Sequence, residues 1–161
     1  MKNYKSIKIF LLSFLSFCAT SAIADPITAD DVETLKWVNN NIFGCDVKHG
    51  EITSRVIFAA RVSDDLTLRG EQIESINING EVYRKNSEFS GNAGRNTRSL
   101  TMYFENYRVT SYDPIPDYNW GEDYQIQIWP QKTANGFEIQ GQVIAPNGSR
   151  TNLEYCEQYK G

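Results

Sequence analysis

The side chains that could do chemistry are few in this sequence. It has one histidine, His49, with Glu51 close behind it, and no GxSxG motif that would supply the nucleophile of a catalytic triad. Neither a GxGxxG loop nor a GxxxxGKS/T loop is present to bind nucleotide phosphates. A single histidine also excludes a histidine-rich zinc site. We therefore expect a non-catalytic protein with no cofactor and no bound metal.

Carboxylates are the one catalytic group that the sequence supplies in number, with 20 Asp and Glu residues. A glycosidase needs two of them at a set separation in a cleft. The nearest approach to a cluster surrounds one loop and consists of Glu105, Asp113, Asp117, Glu122 and Asp123. We interpret these mainly as solubilising charges, and a carboxylate-dependent hydrolase of cell-wall sugars stays as an alternative function.

One segment stands out because it combines aromatic and acidic side chains. Aromatic residues recur between positions 103 and 129: Tyr103, Phe104, Tyr107, Tyr112, Tyr118, Trp120, Tyr124 and Trp129. The central part of this run, residues 112–123, surrounds the sequence Asp-Pro-Ile-Pro-Asp, and we call it the aromatic-acidic segment. Exposed Tyr and Trp are typical of recognition surfaces, and nearby carboxylates suit a basic partner or the hydroxyls of a sugar. A competing interpretation is that the rings pack beneath the loop and plug one end of a sheet. The predicted binding residues are Tyr112, Asp113, Asp117, Tyr118, Trp120, Glu122 and Asp123.

The first 24 residues have the pattern of a secretory signal peptide. Residues 1–8 are basic, residues 9–19 are mostly apolar, and Ala22-Ile23-Ala24 is a small-x-small cleavage site. The apolar run is shorter than the roughly 20 residues that cross a bilayer. We therefore predict cleavage near Ala24, a periplasmic or secreted mature protein, and no transmembrane segment in residues 25–161.

The charge of the predicted mature chain limits its partners. Three of the 16 Lys and Arg residues lie in the predicted leader and none of the 20 Asp and Glu residues does, so residues 25–161 carry a net charge of about −7. Nucleic acids and anionic membranes are bound chiefly through Lys and Arg. The acidic net charge therefore disfavours nucleic acids and anionic membranes as partners. We expect a protein or a carbohydrate instead.

Two cysteines remain after the leader, and an oxidising compartment allows them one intramolecular pairing. We predict a disulfide between Cys45 and Cys156. It closes a loop of more than a hundred residues, and the chain-entropy model assigns such a loop about 4–5 kcal/mol as an upper value. The alternative of free or nucleophilic thiols has no CxxC motif to support it.

The helix and strands that position these residues can be predicted from the spacing of the apolar residues. Thr28 with Asp30 and Asp31 predicts a helix start, the apolar positions 32, 35, 38 and 42 follow at helical spacing, and Gly44 is the predicted stop. From Asp46 onward the apolar period becomes two, which is typical of antiparallel strands with one solvated face. We place about seven strands, at 46–62, 71–79, 81–89, 98–111, 122–130, 137–145 and 150–157.

Three Asn-Gly pairs predict hairpins. A two-residue turn at Asn79-Gly80 sets Glu74 opposite Lys85 and Ile76 opposite Tyr83. A turn at Asn135-Gly136 sets Ile128 opposite Val143 and Ile126 opposite Ala145, with Phe137 and Ile139 on the same face. At Asn147-Gly148 a two-residue turn would mix the faces, so we predict a longer or bulged turn that sets Leu153 opposite Val143 and Tyr155 opposite Gly141. Residues 90–97, rich in Gly and Asn, are predicted as an exposed mobile loop.

The predicted fold is mainly β within the α+β class: one domain in which an N-terminal helix packs on an antiparallel meander. A small barrel, a cone around the helix and a half-open sheet all fit this pattern. The predicted function is that of a small binding protein of inhibitor, immunity or accessory type. A lipocalin-like carrier of a small apolar ligand is a further alternative, and it requires an empty cavity along the apolar face of 126, 128, 139 and 143.

Overall fold

The computed structural model describes residues 25–96, 99–116 and 124–159. One helix, α1, precedes eight strands that close into an antiparallel barrel in sequence order, with β8 pairing back to β1. The predicted helix on an antiparallel meander is therefore confirmed, and the sheet is closed. The elements are α1 Ala29–Asn39, β1 Ile42–His49, β2 Ile52–Val62, β3 Thr67–Ile78, β4 Glu81–Asn96, β5 Ser99–Tyr112, β6 Gln125–Thr133, β7 Gly136–Ile144 and β8 Arg150–Gln158.

The helix begins as predicted and ends earlier than predicted. Thr28 is the N-cap: its Oγ1 accepts from the Asp31 amide at 3.2 Å, while Asp31 Oδ2 accepts from the Thr28 amide at 2.8 Å. The last turn ends before Gly44, because the side chains of Asn40 and Asn41 donate to the carbonyls of Lys36 and Trp37.

The predicted apolar stripe of the helix is only partly correct. Val38 is fully buried and Leu35 packs at the edge of the core, whereas Val32 is 44% exposed. Ile42 belongs to β1 and is also 44% exposed. The aromatic ring of Trp37 makes the additional contact with the barrel, at 4.8 Å from the ring of Phe43.

About seven strands are predicted and the described residues form eight, because the segment 46–62 holds parts of two. A turn at Gly50-Glu51 separates β1 from β2, and His49 pairs with Ile52 across it. Residues 90–96 are also not a loop. They continue β4 and pair with β5 from Ser90–Glu105 to Asn96–Ser99. Gly91 is required there by close approach of the strands, since a Cβ would collide with the Tyr103 carbonyl.

The three hairpins show how far turn chemistry predicts register. The Asn79-Gly80 hairpin is confirmed, with Glu74 opposite Lys85 and Ile76 opposite Tyr83. The next turn lies at residues 134–135, so Ile126 faces Val143 instead of Ala145. That shift of two residues leaves every side chain on its predicted face. The third turn is longer than two residues, as predicted, but Val143 faces Thr151 instead of Leu153.

The barrel interior is apolar along most of its length. Ile126, Ile128, Ile139 and Val143 lie in one buried cluster with Val38 of the helix, and the ring of Phe137 stacks on Trp37 at 4.9 Å. These five strand residues share one face, as predicted. The other fully buried large side chains come from β1 to β5: Phe43, Val47, Val56, Phe58, Leu68, Ile76, Met102 and Phe104.

The predicted disulfide between Cys45 and Cys156 is present and joins the first strand to the last. The β1–β8 ladder shifts register beside it, between Gly44 and Asp46, and Tyr155 has a φ of 49°. This bulge places one extra residue in β8, which brings the Cys156 sulfur to Cys45 and leaves Tyr155 76% exposed. The predicted position of Tyr155 on the same face as Gly141 is wrong for this reason.

Within the described ranges, no helix combines the length and the hydropathy that crossing a bilayer requires.

Candidate functional site at the barrel mouth

The two ends of the barrel differ. Helix α1 packs on β2 and β6 at one end, where Asn39 exchanges two hydrogen bonds with the Val62 backbone at 2.9 and 2.8 Å. The opposite end, which we call the mouth, carries the β3–β4 turn and the connection from β5 to β6. At the mouth β5 continues from Glu105 to Tyr112 beyond its last pair with β6, Phe104–Ile126. Among the residues that the structure describes, the barrel wall is therefore open between these two strands.

A group of polar side chains lies inside the mouth, which we call the buried polar cluster: Gln72, Glu74, Lys85, Tyr107 and Tyr124. Glu74 and Lys85 form an ion pair of 2.9 Å with side chains only 4% and 5% exposed. The Tyr124 hydroxyl donates to Glu74 at 3.1 Å, and Gln72 Nε2 donates to the same hydroxyl at 2.5 Å. The Lys85 ammonium also lies 4.9 Å from the centre of the Tyr124 ring. Two charges are thus held in a low-dielectric interior by mutual pairing.

Strand alternation explains why these residues share the interior. Gln72, Glu74 and Ile76 are alternate residues of β3, and all three are buried. Lys85 faces Glu74 directly across the β3–β4 ladder, so the two side chains must point to the same side. In β5 the positive φ of Asn106, 48°, marks a bulge that returns Tyr107 to the interior after Phe104.

Two polar atoms of the cluster lack a partner within the described part of the chain. They are the Tyr107 hydroxyl and Gln72 Oε1, and both are buried. Burial, with smaller effects of Tyr124 and Glu74, raises the pKa of Tyr107 well above its usual range. An unpaired buried hydroxyl costs roughly 1–3 kcal/mol, so this site carries unsatisfied hydrogen-bonding capacity.

A cavity of about 460 Å³ lies where β5 and β6 separate. Its size falls within the range of small-molecule sites in proteins. Two tyrosine rings, two side-chain amides and one carboxylate contribute to its wall, and the lining residues are Glu105, Asn106, Tyr107, Tyr124, Gln125, Ile144, Ala145, Pro146 and Gly148. This combination offers apolar ring faces together with donors and acceptors for hydroxyl groups.

Two of the predicted binding residues lie in the described part of the chain, at this mouth. Tyr112 ends β5 directly across from Lys85 and is 62% exposed. Asp113 is fixed to β4, since its amide donates to the Arg84 carbonyl at 2.8 Å and its carboxylate accepts from the Arg84 amide at 2.9 Å. Ile115 is buried. The other five predicted residues, Asp117, Tyr118, Trp120, Glu122 and Asp123, lie outside the described residues.

The residues of the buried polar cluster are not among the predicted site residues: Gln72, Glu74, Lys85, Tyr107 and Tyr124. One signal was present, because the Asn79-Gly80 register already set Glu74 against Lys85, and Ile76 on the same face is apolar. An opposite-charge pair on an apolar face is a candidate for burial. Tyr107 belongs to the aromatic run between positions 103 and 129, but its inward orientation could not be predicted, since it depends on the bulge at Asn106.

The alternative function of a carboxylate-dependent hydrolase can be compared with one pair of facing glutamates in the structure. Glu71 and Glu88 face each other across β3 and β4 on the outer surface, beside a groove of about 530 Å³. Both are exposed, and Glu88 is paired with Arg108. Glycosidases separate the roles of their two carboxylates through contrasting environments. Two exposed glutamates, one of them neutralised, do not provide that contrast.

The apolar-carrier alternative requires empty space along the strand face that carries residues 126, 128, 139 and 143. That face belongs instead to one buried cluster with Val38, Phe58 and Phe104, and the Phe58 and Phe104 rings meet edge to face at 5.3 Å. Dense packing of this kind fills the space beside Ile126 and Ile128, which are fully buried, whereas Ile139 also lines a cavity of about 670 Å³ between β7 and β8.

Metal ligands do not converge within the described residues, where no group of three or more His, Cys, Asp and Glu side chains could hold an ion. Comparison of the chain with models of protein families, with curated proteins and with solved structures finds no significant match.

Proposed function

We propose that this chain is an exported, non-catalytic binding protein of inhibitor, immunity or accessory type, and that it contacts its partner through the aromatic-acidic segment at the barrel mouth. The observation that carries the proposal is the anchoring of this segment's first residues. Asp113 is bonded twice to the Arg84 backbone and Ile115 is buried, while Tyr112, the last residue of β5, is 62% exposed.

An exposed aromatic ring on a fixed backbone is a favourable contact group. The ring contributes a large contact area, and its ordering costs little because the backbone beneath it is already held. Tyr112 fits this description at the start of the segment. At the other end Tyr124 is bonded to Glu74 inside the barrel, at 3.1 Å. The segment is therefore tied to the barrel near both of its ends.

The chemistry of the segment favours a basic protein surface or a hydroxyl-rich carbohydrate. Its carboxylates belong to a mature chain with an excess of acidic over basic residues. The adjacent mouth cavity adds Tyr107, Asn106 and Gln125, which suit the hydrogen-bonding pattern of sugar hydroxyls.

Export is supported by two features. Residues 1–24 have the pattern of a signal peptide, and the Cys45–Cys156 disulfide is of a kind that persists in oxidising compartments. Expression in a bacterium with secretion machinery tests this part of the proposal. We expect intact-mass analysis of the envelope fraction to give a chain that begins near Asp25, and a full-length chain retained in the cytoplasm would contradict export.

The recognition proposal is tested by affinity capture from the envelope extract of the exporting cell. We expect the double variant Tyr118→Ala/Trp120→Ala to lose the captured partner, because it removes two large rings from the segment. The control is Tyr155→Ala, which removes a tyrosine that is 76% exposed on β8. Capture of every partner by the double variant would overturn the assignment.

Calorimetric titration with soluble cell-wall saccharides separates the two partner classes. Saturable binding that is lost in Tyr107→Ala, whose side chain lines the mouth cavity, would identify a carbohydrate. Absence of saccharide binding together with retained capture of a protein would identify a protein partner.

A further inference from the structure

A second opening in the barrel wall lies between β7 and β8, away from the mouth. The ladder between these strands is confined to Gln142–Ile144 paired with Arg150–Asn152. Toward the helix end the two strands diverge and leave a cavity of about 670 Å³, which we call the β7–β8 gap. Its lining residues are Trp37, Phe43, Gly136, Phe137, Glu138, Ile139, Gln140, Cys156, Glu157 and Gln158.

Both sides of the gap are strand edges. Residues 136–141 of β7 pair with β6 on one side, and residues 153–158 of β8 pair with β1 on the other. Across the gap, neither stretch pairs with any strand of the described chain. The N–H and C=O groups that point into the gap are therefore available to an added strand, as at the open edge of any sheet.

The floor of the gap is apolar and aromatic. Phe137 and Ile139 point inward from β7, and Cys156 carries the disulfide beside them. Beneath them lie Trp37, stacked on Phe137 at 4.9 Å, and Phe43, at 4.8 Å from Trp37. An inserted strand would place every second side chain on these rings.

The rim of the gap is acidic. Glu138 and Gln140 point outward from β7, and Glu157 points outward from β8 with its side chain 70% exposed. Glu157 is paired with Arg55 at 2.6 Å, and among the described residues no Lys, Arg or His lines the gap. The remaining side chains of an inserted strand would therefore lie beside the Glu138 carboxylate on one side and the Glu157 carboxylate, with its Arg55 partner, on the other.

We propose that the β7–β8 gap binds an extended segment of a partner protein by strand addition, and that this segment alternates apolar with basic residues. The apolar side chains of the segment lie on Trp37 and Phe137, and its Lys or Arg side chains lie beside Glu138. Backbone hydrogen bonds supply affinity in this mode of recognition, and the alternate side chains supply specificity. Opposite charges in cross-strand positions stabilise the pairing.

The same charges argue against a second copy of this chain as the occupant. Pairing of two β7 edges about a twofold axis would bring Glu138 of each copy close to acidic groups of the other copy. Like charges in cross-strand positions destabilise a sheet. A basic partner segment does not meet this repulsion.

Four synthetic heptapeptides test the proposal on the disulfide-bonded chain. The first alternates Lys with Val, and the second replaces each Lys by Glu. The third and fourth keep the Lys-Val sequence and carry N-methyl groups, the third on one set of alternate residues and the fourth on the other set. We expect saturable binding of the Lys-Val peptide in calorimetry, with slower amide exchange at residues 136–140. At least one N-methylated peptide should not bind, because it lacks the donors that face β7 or β8.

Charge reversal at the rim supplies the matched variants. Glu138→Lys should weaken the Lys-Val peptide by about five- to tenfold, since it turns an attraction into a repulsion of similar size. Glu51→Lys makes the same change of charge in the exposed turn between β1 and β2 and should leave the affinity unchanged. Both variants replace exposed residues, and their circular dichroism spectra verify the fold.

Four results would overturn the inference: no binding of the Lys-Val peptide, equal binding of the Glu-Val peptide, equal binding of all N-methylated peptides, or an equal effect of the two charge reversals. Self-association that Glu138→Lys strengthens or abolishes would assign the edge to a second copy instead. The test is independent of the mouth, so the Tyr118→Ala/Trp120→Ala variant should retain peptide binding even though it loses its own partner.

Discussion

Glu74 and Lys85 are the two charged residues whose burial dominates the interior of the mouth, with side chains 4% and 5% exposed. Lys85→Met leaves the Glu74 carboxylate buried without its cation. We expect the free energy of unfolding to fall by about 3–5 kcal/mol, measured by urea denaturation. The double variant Glu74→Leu/Lys85→Met removes both charges and should recover most of that loss.

The matched control is the exposed pair Arg108–Glu88, whose side chains are 74% and 48% exposed. Arg108→Met should change the free energy of unfolding by less than about 1 kcal/mol. If the double variant of the buried pair is as unstable as Lys85→Met alone, hydrogen bonds to Tyr124 and Gln72 carry more of the stability than charge pairing does.

Tyr107 gives a pH-dependent prediction. Burial, followed by the influence of Tyr124 and Glu74, raises its pKa well above the ordinary value of 10.0. The unfolded chain therefore releases this proton at lower pH than the folded chain, and the contribution to stability is full below about pH 10 and declines above it. Tyr107→Phe should flatten that decline in urea denaturation series recorded between neutral and alkaline pH.

The same variant should be neutral or stabilising near pH 7, by up to about 1 kcal/mol, because it deletes a buried hydroxyl that has no partner among the described residues. Tyr112→Phe, on an exposed ring, serves as the control. Destabilisation by Tyr107→Phe at neutral pH would mean that the hydroxyl is satisfied in solution, for instance by a bound water.

At the scale of elements, Asp31 links α1 to the barrel. Its carboxylate closes the capping box with Thr28 and accepts from Arg95 of β4 at 2.7 Å. Desolvation acts to raise the pKa of Asp31, but the hydrogen bonds from Thr28 and the bond and charge of Arg95 outweigh it and leave the pKa below 3.8. Ionised Asp31 thus stabilises the fold above about pH 4, and this contribution is lost as the pH falls through the lowered pKa.

Asp31→Asn should lower the free energy of unfolding by about 1–2 kcal/mol at pH 7, since a cap and a charge-assisted bond weaken together. The difference from the unmodified chain should shrink as the pH is lowered below 4, in urea denaturation at each pH. Asp30→Asn, whose side chain is 79% exposed one position earlier, is the control and should have a smaller effect. A constant difference down to pH 2 would contradict the role of the ionised carboxylate.

Secondary structure elements were predicted correctly where their sequence signals come from neighbouring residues. The Asn79-Gly80 register was correct because two adjacent residues with φ of 53° and 90° define the turn. The turn at Gly50-Glu51 was missed because the apolar alternation of 46–62 hid the break between β1 and β2. Residues 90–96 were assigned to a loop because their Gly and Asn resemble turn chemistry, whereas barrel closure requires a glycine for strand contact at position 91.

The candidate site was harder to predict from the sequence because it depends on the closure of the barrel. Tyr112 and Asp113 could be found from composition, and the cross-strand facing of Glu74 and Lys85 from the hairpin. Their burial follows from the other strands that complete the barrel around them, which is a non-local property. The β7–β8 gap likewise arises from the divergence of two strands beyond a short ladder, and sequence alternation contains no information on that divergence.

At the scale of the whole molecule, the barrel is closed by the seam between its first and last strands, β1 and β8. The pairs between β1 and β8 are interrupted by the register shift at Gly44 and Asp46, and the Cys45–Cys156 disulfide lies within that interruption. The bond joins residues 111 positions apart, so it restricts the unfolded chain over nearly the whole domain. The first and the last strand of the barrel are therefore joined by one covalent bond.

Replacement of both cysteines, Cys45→Ala/Cys156→Ala, should lower the free energy of unfolding by up to about 4–5 kcal/mol, measured by urea denaturation. Amide exchange should rise first in β8 and the facing part of β1, while β3 and β4 keep their protection because their ladder runs from Thr67–Asn92 to Ile78–Glu81 without a shift. A reducing agent should destabilise the unmodified chain by the same amount and leave the double variant unchanged. Uniform loss of protection in all strands would show instead that the barrel opens only as a whole, because its seam and its long central hairpin then belong to one cooperative unit.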